Sequence, residues 1–333
     1  MKPIRNIFTL LLLSLSISSC IITDYARTMN IEIMKPGLFN IPEELNSVAI
    51  LNRDSYIHDS IPFRFFNETR ISTDTIIKYK DLSNTCVDAF ASFLIKEGYF
   101  KKVINYHDSL SSLYPSNQAI LNPDELFRKT KSDVCIFLDF FNFSITNMIG
   151  FGDIAVNNAS LVWNIAFKTD TLSYLFNQKD TIIFEANDFP LNLSSQKRLN
   201  MLVNNSAEYL GRYFGSKIIP SWLKVERLYY KSNNQNMLLA EKYALNNQWI
   251  KAAEIWNKQT KNKNSKIAAK ASYNMALACE MEGKLDVAVD WLIRSYSILN
   301  QNNDEHKANC QRYITVLVLR KKEIEKLEHQ VRN

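Results

Sequence analysis

The sequence predicts an α+β protein in which a mixed-sheet sandwich domain is followed by an all-α helical repeat. Three observations carry that prediction. Apolar runs of strand character alternate with helical periodicity up to about residue 230. Beyond that point the pattern is helical nearly to the end and contains no proline. Within this second part, two stretches echo one another at an offset of about 36 residues. The expected division is a leader over 1–19, a tether over 20–29, the sheet domain over 30–231 and the helical domain over 232–333.

Residues 30–34 and 47–52 read as strands, the second through the buried run Val48-Ala49-Ile50-Leu51, with Pro36 and Pro42 marking the connection. Over 81–97, Val87, Phe90, Ala91 and Leu94 fall at helical spacing, and Gly98 follows where a helix end calls for positive φ. A strand over 99–106 comes next. Asn122 caps and Pro123 opens a short helix. Residues 132–144 form the longest buried strand. From 159 to 186 a meander is expected: Leu161, Trp163, Ile165 and Phe167 alternate, Thr169-Asp170-Thr171 turns, and strands over 173–176 and 181–185 follow. A helix over 195–214 sets Leu199, Leu202, Val203, Ser206, Leu210 and Tyr213 along one side, and a strand over 222–229 closes the domain.

In the helical part, Ala240, Tyr243, Asn247, Ala252 and Trp256 align with Ala276, Cys279, Gly283, Ala288 and Leu292. Ala240 and Ala276 let the first helix of each unit approach the second, Ala252 and Ala288 do the same from the second, and Trp256 and Leu292 fill the space below. Gly283 permits the turn between helices, and Asn247 replaces it in the first unit, since Asn enters the left-handed region more readily than most residues. This pattern resembles the tetratricopeptide repeat over roughly 90 residues. The resemblance implies paired helices with a concave face suited to a peptide or helix, completed by an amphipathic capping helix over 304–327.

The N-terminus gives the address. Lys2 and Arg5 precede an uncharged apolar run from Ile7 to Ile17, which is the secretory pattern and is shorter than the roughly 20 residues a membrane span needs. The run ends in Ile17-Ser18-Ser19-Cys20, which resembles the bacterial lipobox at every position. That resemblance implies signal-peptidase recognition through Ile17, Ser18 and Ser19, lipidation at Cys20, and attachment by acyl chains, each buried methylene contributing about 0.8 kcal/mol. Ile21 follows the cysteine in place of the inner-membrane retention aspartate of some bacteria, and Ile21-Ile22-Thr23-Asp24 lacks the acidic cluster that sends some lipoproteins to the surface. An outer-membrane anchor with a periplasm-facing body is the expectation.

A net charge of +6, two units of which leave with Lys2 and Arg5, does not call for nucleic acid. Apart from Cys20, the cysteines are Cys86, Cys135, Cys279 and Cys310; their apolar settings point to buried free thiols. No CxxC or Cys/His cluster points to a metal, and no cofactor is expected. His58, His107, His306 and His329 are scattered and read as solvated or turn residues. There is no GxSxG elbow. The seven glycines leave no phosphate-cradling loop, and Gly150-Phe151-Gly152 reads as a loop between strands. Asp139 lies inside an apolar strand, where burial would raise its pKa; its side chain is expected to face solvent. No catalytic residue is therefore assigned.

Ile41-Pro42 before Val48-Ala49-Ile50-Leu51-Asn52-Arg53, Ile219-Pro220-Ser221-Trp222 before Arg227-Leu228-Tyr229-Tyr230, and Trp249 with Ala252-Ala253-Glu254-Ile255-Trp256 together resemble a family of Bacteroidota lipoproteins. That family joins a lipobox, an α+β domain of unknown function and a short helical repeat tail. In strand and helix order, the sheet domain also resembles curli-secretion-type lipoproteins and lipoprotein activators of penicillin-binding proteins. The expected function is a non-enzymatic, lipid-anchored envelope protein that binds or scaffolds another protein. The alternatives are an oligomeric envelope assembly or export factor, and a hydrolase of envelope glycan or peptide in which two acids converge.

Overall fold

A computed structural model of the protein describes residues 26–54, 63–64, 79–106, 123–148, 154–168, 173–184, 195–299 and 304–330. The elements in chain order are β1 (Ala26–Lys35), β2 (Ser47–Asn52), β3 (Phe63–Arg64), α1 (Tyr79–Glu97), β4 (Lys102–Tyr106), α2 (Pro123–Thr130), β5 (Val134–Met148), β6 (Ile154–Phe167), β7 (Ser173–Phe184), α3 (Ser195–Ile218), β8 (Ser221–Tyr230), α4 (Gln235–Leu245), α5 (Trp249–Gln259), α6 (Ser265–Met281), α7 (Leu285–Ile298) and α8 (Asp304–Glu328). The fold class is mixed α+β, with a sheet part followed by a helical region. Two compact units share the chain: residues up to Ile33 with 223–325, and 34–222 with 326–333. Cys20, Ile17, Ser18 and Ser19 lie outside the described residues, as do His58, His107 and the Gly150-Phe151-Gly152 loop.

The sheet unit is built on the strand order β4-β2-β5-β6-β7, with β3 beside β5. The first three strands of that order run parallel, and β5, β6 and β7 are antiparallel. Why Val48 to Leu51 is one unbroken apolar run is now plain: both faces of β2 are covered. Val48 and Ile50 share a core with Phe90 and Leu94 of α1 and Val203, Leu210 and Phe214 of α3, while Ala49 and Leu51 pack with Leu126 and Phe127 of α2. At the centre of the larger core, the Trp163 and Phe214 rings stack at 4.0 Å. The Trp163 indole N–H donates to Gln178 Oε1 at 3.1 Å, so its polar edge is satisfied.

Several sequence expectations need correction in this unit. The runs over 173–176 and 181–185 are one strand, because Gln178 and Lys179 stay in register with Leu161 and Ser160 of β6. The strand expected over 99–106 begins at Lys102, after Gly98 at φ 66° has ended α1 and Phe100 has turned inward. On α3 it is Phe214 that enters the core of the sheet unit, while Tyr213 is half-buried against Tyr209.

In the other unit, β1 and β8 form a two-stranded sheet. The strand over 222–229 thus does not close the larger sheet, and the first strand starts at Ala26, earlier than residue 30. Met29, Ile31 and Ile33 alternate inward on β1 and join Tyr229 and Tyr230 in a core with Trp256, Tyr273, Leu277 and Tyr313. Helix α4 packs on α5, α5 on α6 and α6 on α7. Asn234 and Asn264 cap α4 and α6, each side-chain oxygen accepting from two backbone amides of the first turn. Residues 268–280 of α6 are buried without interruption, which only a helix covered on all sides tolerates.

Candidate functional site

The most concentrated polar chemistry of the sheet unit lies where β2 ends. Asn52, Arg53 and Asp54 follow the apolar run at the carboxyl end of a parallel strand, a position where open α/β sheets commonly hold ligands. Asn52 Nδ2 donates to Ser83 Oγ at 2.8 Å and to Asn84 Oδ1 at 2.7 Å, binding the strand to the first turns of α1. Arg53 engages β5 on the opposite face. Its backbone N–H donates to Leu138 O at 2.9 Å, Nε donates to Asp139 Oδ1 at 2.7 Å, and Nη2 donates to Asp139 Oδ2 at 2.6 Å. The guanidinium also lies 4.2 Å over the Phe137 ring. A register shift between Leu138 and Phe140 re-aims the backbone at Asp139, and Phe141 N–H next to that shift donates to Asp54 Oδ1 at 3.2 Å.

This pair is buried: the Arg53 side chain is 2% exposed and that of Asp139 12%. The solvent-facing expectation for Asp139 is therefore corrected. The bulge and the Arg53 fork draw the carboxylate inward. Burial pushes its pKa up, and the Arg53 charge, the Arg53 hydrogen bonds and a hydrogen bond from Asn164 oppose that rise. Chemically this is a neutral ion pair. Arg53 Nη1 and Asn164 Oδ1 are both buried without a hydrogen-bond partner among the described residues, so one donor and one acceptor are left over beside it. By sequence Arg53 stands out only as the end of the run that resembles the lipoprotein family, with no role of its own. The available signal was a charged residue ending a strand buried on both faces.

The helical unit holds a second polar group, in which Glu280 of α6 accepts from Arg227 Nε at 2.9 Å and Nη2 at 2.8 Å and from Tyr313 OH at 2.6 Å. Nearly two turns back along α6, Asn274 grips the backbone of Tyr230: its Oδ1 accepts from the N–H and its Nδ2 donates to the carbonyl, each at 2.8 Å. Tyr229 OH donates to Glu241 Oε1 of α4 at 2.6 Å. These contacts seat β8 against the helices. The face of α6 that a paired-helix repeat would offer to a foreign peptide is occupied by a strand of the same chain.

The repeat residues fall as follows. Ala240, Ala252, Trp256, Ala276, Ala288 and Leu292 are fully buried, and Gly283 and Asn247 take φ 71° and 56°. Cys86, Cys135, Cys279 and Cys310 are free and buried. Burial raises the Cys135 and Cys310 thiols to about 11, far from the thiolate that nucleophilic chemistry needs. His306 is not a solvated residue: it is 3% exposed on α8, with Nε2 3.0 Å from Ser295 Oγ, and burial lowers its pKa. Its position on the inward stripe of α8, one turn before Cys310, accounts for this. His329 is exposed in the turn after α8. Among the described residues no group of His, Cys, Asp and Glu could hold a metal, and no helix is long and apolar enough to cross a membrane.

Fold and site together define an α+β sheet unit with a buried polar centre and a helical unit that holds its own strand. The chain belongs to the family described as domain of unknown function DUF8603, whose model matches residues 45–230, more than half of the sequence. A second domain of unknown function, DUF6340, matches residues 239–318. No curated protein matches the chain. Among solved structures, a minor lipoprotein from Acinetobacter baumannii is 9% identical, with 54% of this chain and 96% of that one covered at a TM-score of 0.26. A PelC dodecamer from Paraburkholderia phytofirmans is 10% identical, with coverages of 57% and 98% and again a TM-score of 0.26. Scores this low do not define a shared fold.

Proposed function

We propose that this protein is a lipid-anchored component of the bacterial cell envelope, attached through Cys20 at the outer membrane, whose body scaffolds or binds another protein without catalysing a reaction. The observation that carries the reading is the stretch Ile17-Ser18-Ser19-Cys20 closing an uncharged apolar run behind Lys2 and Arg5. The tether is short, because β1 begins at Ala26. The filled face of α6 moves the expected partner surface: recognition belongs to outward faces of the body rather than to a concave helical groove.

The reading is tested by labelling cells with radioactive palmitate and fractionating them. The wild-type chain takes up label and stays with membranes through a carbonate wash. Cys20→Ala behind an ordinary cleavable signal peptide takes up none and is released. An unlabelled wild-type chain, or a variant that resists carbonate, overturns the proposal. A second reading, an oligomeric assembly or export factor, draws on β7: it pairs with β6 along one edge only among the described residues, and an open edge of that length can accept a strand from another copy.

A further inference from the structure

We propose that the turn between α4 and α5 is a second membrane contact, which dips Leu245 and Ile250 into the headgroup region of the bilayer that holds the lipid anchor. The proposal rests on the lipid-anchored reading above.

The turn is closed and rigid. Asn247 N–H donates to Ala244 O at 2.9 Å and Gln248 N–H to Tyr243 O at 2.9 Å, with Asn247 in the left-handed region. It therefore holds its two flanking apolar side chains outward: Leu245 is 59% exposed and Ile250 63%. Between Lys242 and Lys251 the sequence Tyr243-Ala244-Leu245-Asn246-Asn247-Gln248-Trp249-Ile250 carries no acid. Both lysines are exposed at the sides of the tip. Apolar residues at an apex, amide residues between them and cations on the flanks match the layering of an anionic membrane surface. Val287, also exposed, stands beside Asp286 and one turn from Asp290; Val318 and Leu319 lie in an acid-free, basic stretch but in the middle of α8 rather than at a turn, and the nearest exposed acid beyond the tip is Glu254, one turn after Ile250.

Chain length places the bilayer within reach. Six peptide steps separate Cys20 from Ala26, which span at most about 20 Å when extended. β1 lies close to α4: it pairs with β8, whose Tyr229 hydroxyl bonds Glu241 of α4, and Met29 shares a core with Tyr229 and with Met237 and Ala240 of α4. From Glu241 to Leu245 is one helical turn, about 6 Å along the axis. An acylated Cys20 and the apex of the turn can thus meet one surface without extending the tether fully.

The experiment separates this contact from acylation. Residues 21–333 are produced with a hexahistidine tag in place of Cys20. They are bound to phosphatidylethanolamine and phosphatidylglycerol vesicles doped with a nickel-chelating lipid, so the tether is supplied artificially. Single Leu245→Cys, Ile250→Cys and Lys263→Cys variants carry an environment-sensitive fluorophore; the four native thiols, being buried, stay unlabelled. Lys263 sits in the turn beyond the far end of α5, whose axis spans about 14 Å from Ile250 to Gln259. The expected result is a blue shift with increased emission at 245 and 250 on vesicle binding and none at 263. Leu245→Ser with Ile250→Ser should weaken vesicle binding of the untagged protein by about tenfold or more. Absence of a shift at 245 and 250 overturns the proposal. An equal shift at all three sites, which marks indiscriminate adsorption, or a shift produced by a soluble protein in place of vesicles, does so as well. None of these outcomes bears on Cys20, whose acylation the palmitate experiment decides.

Discussion

Arg53 shows how a single charge can be kept inside a sheet. Taking a guanidinium out of water costs several kcal/mol, and it survives here because the Asp139 carboxylate meets it edge to edge while the Phe137 ring covers its face. Removing one partner leaves the other buried and uncompensated. Arg53→Met and Asp139→Leu are each expected to destabilise the protein by about 3–5 kcal/mol, and the double variant by clearly less than their sum. Urea unfolding of the four proteins measures the coupling; strict additivity would show that the two groups do not support one another. The sequence placed Asp139 in the right strand but on the wrong side of the energetics. Its partner lies 86 residues earlier, and no local pattern announces a bulge that turns a strand residue inward.

At the scale of elements, α1 and α3 approach unusually closely, and two glycines on successive turns of α3 make this possible. A Cβ at Gly211 would strike the Cys86 carbonyl, and one at Gly215 would strike the Phe93 ring. The first obstacle is backbone and cannot swing away. Gly211→Ala should therefore cost about 1–3 kcal/mol by forcing the helices apart, read as a lowered Tm in thermal unfolding followed by circular dichroism. An unchanged Tm would mean that the helix pair can re-space freely. Periodicity made the helices themselves legible, as it did the strands β2, β5 and β6. What it could not give was the pairing of β8, whose alternation of exposed and covered residues is the same whichever sheet it joins.

At the scale of the whole molecule, sequence order and compact units diverge. The composition change near residue 230 is real, yet β1 and β8 from the amino-terminal side belong with the helices. Asn274, set in an alanine-rich helix, bonds the backbone of β8, and Glu280 takes its Arg227 fork from β8 and a further bond from Tyr313 of α8. Residues 232–333 produced alone should leave Asn274 without its backbone partners and the Glu280 charge without Arg227, with only Tyr313 still bonded to it, and yield helices without fixed tertiary packing. Near-ultraviolet circular dichroism and the dispersion of amide resonances check this. A well-dispersed spectrum from that fragment would show that the helices need no strand.

The strand β1 has a mechanical meaning as well. It is the first described element after Cys20, and Met29, Ile31 and Ile33 are sunk in the helical core. If the lipid holds the chain while the envelope moves, the pull arrives at this strand before any other part of the fold. It is resisted by three side chains keyed into helices and by backbone bonds to β8, which Asn274 in turn clamps. The ribbon then serves as a strain relief, taking up tension at the first strand behind the lipid.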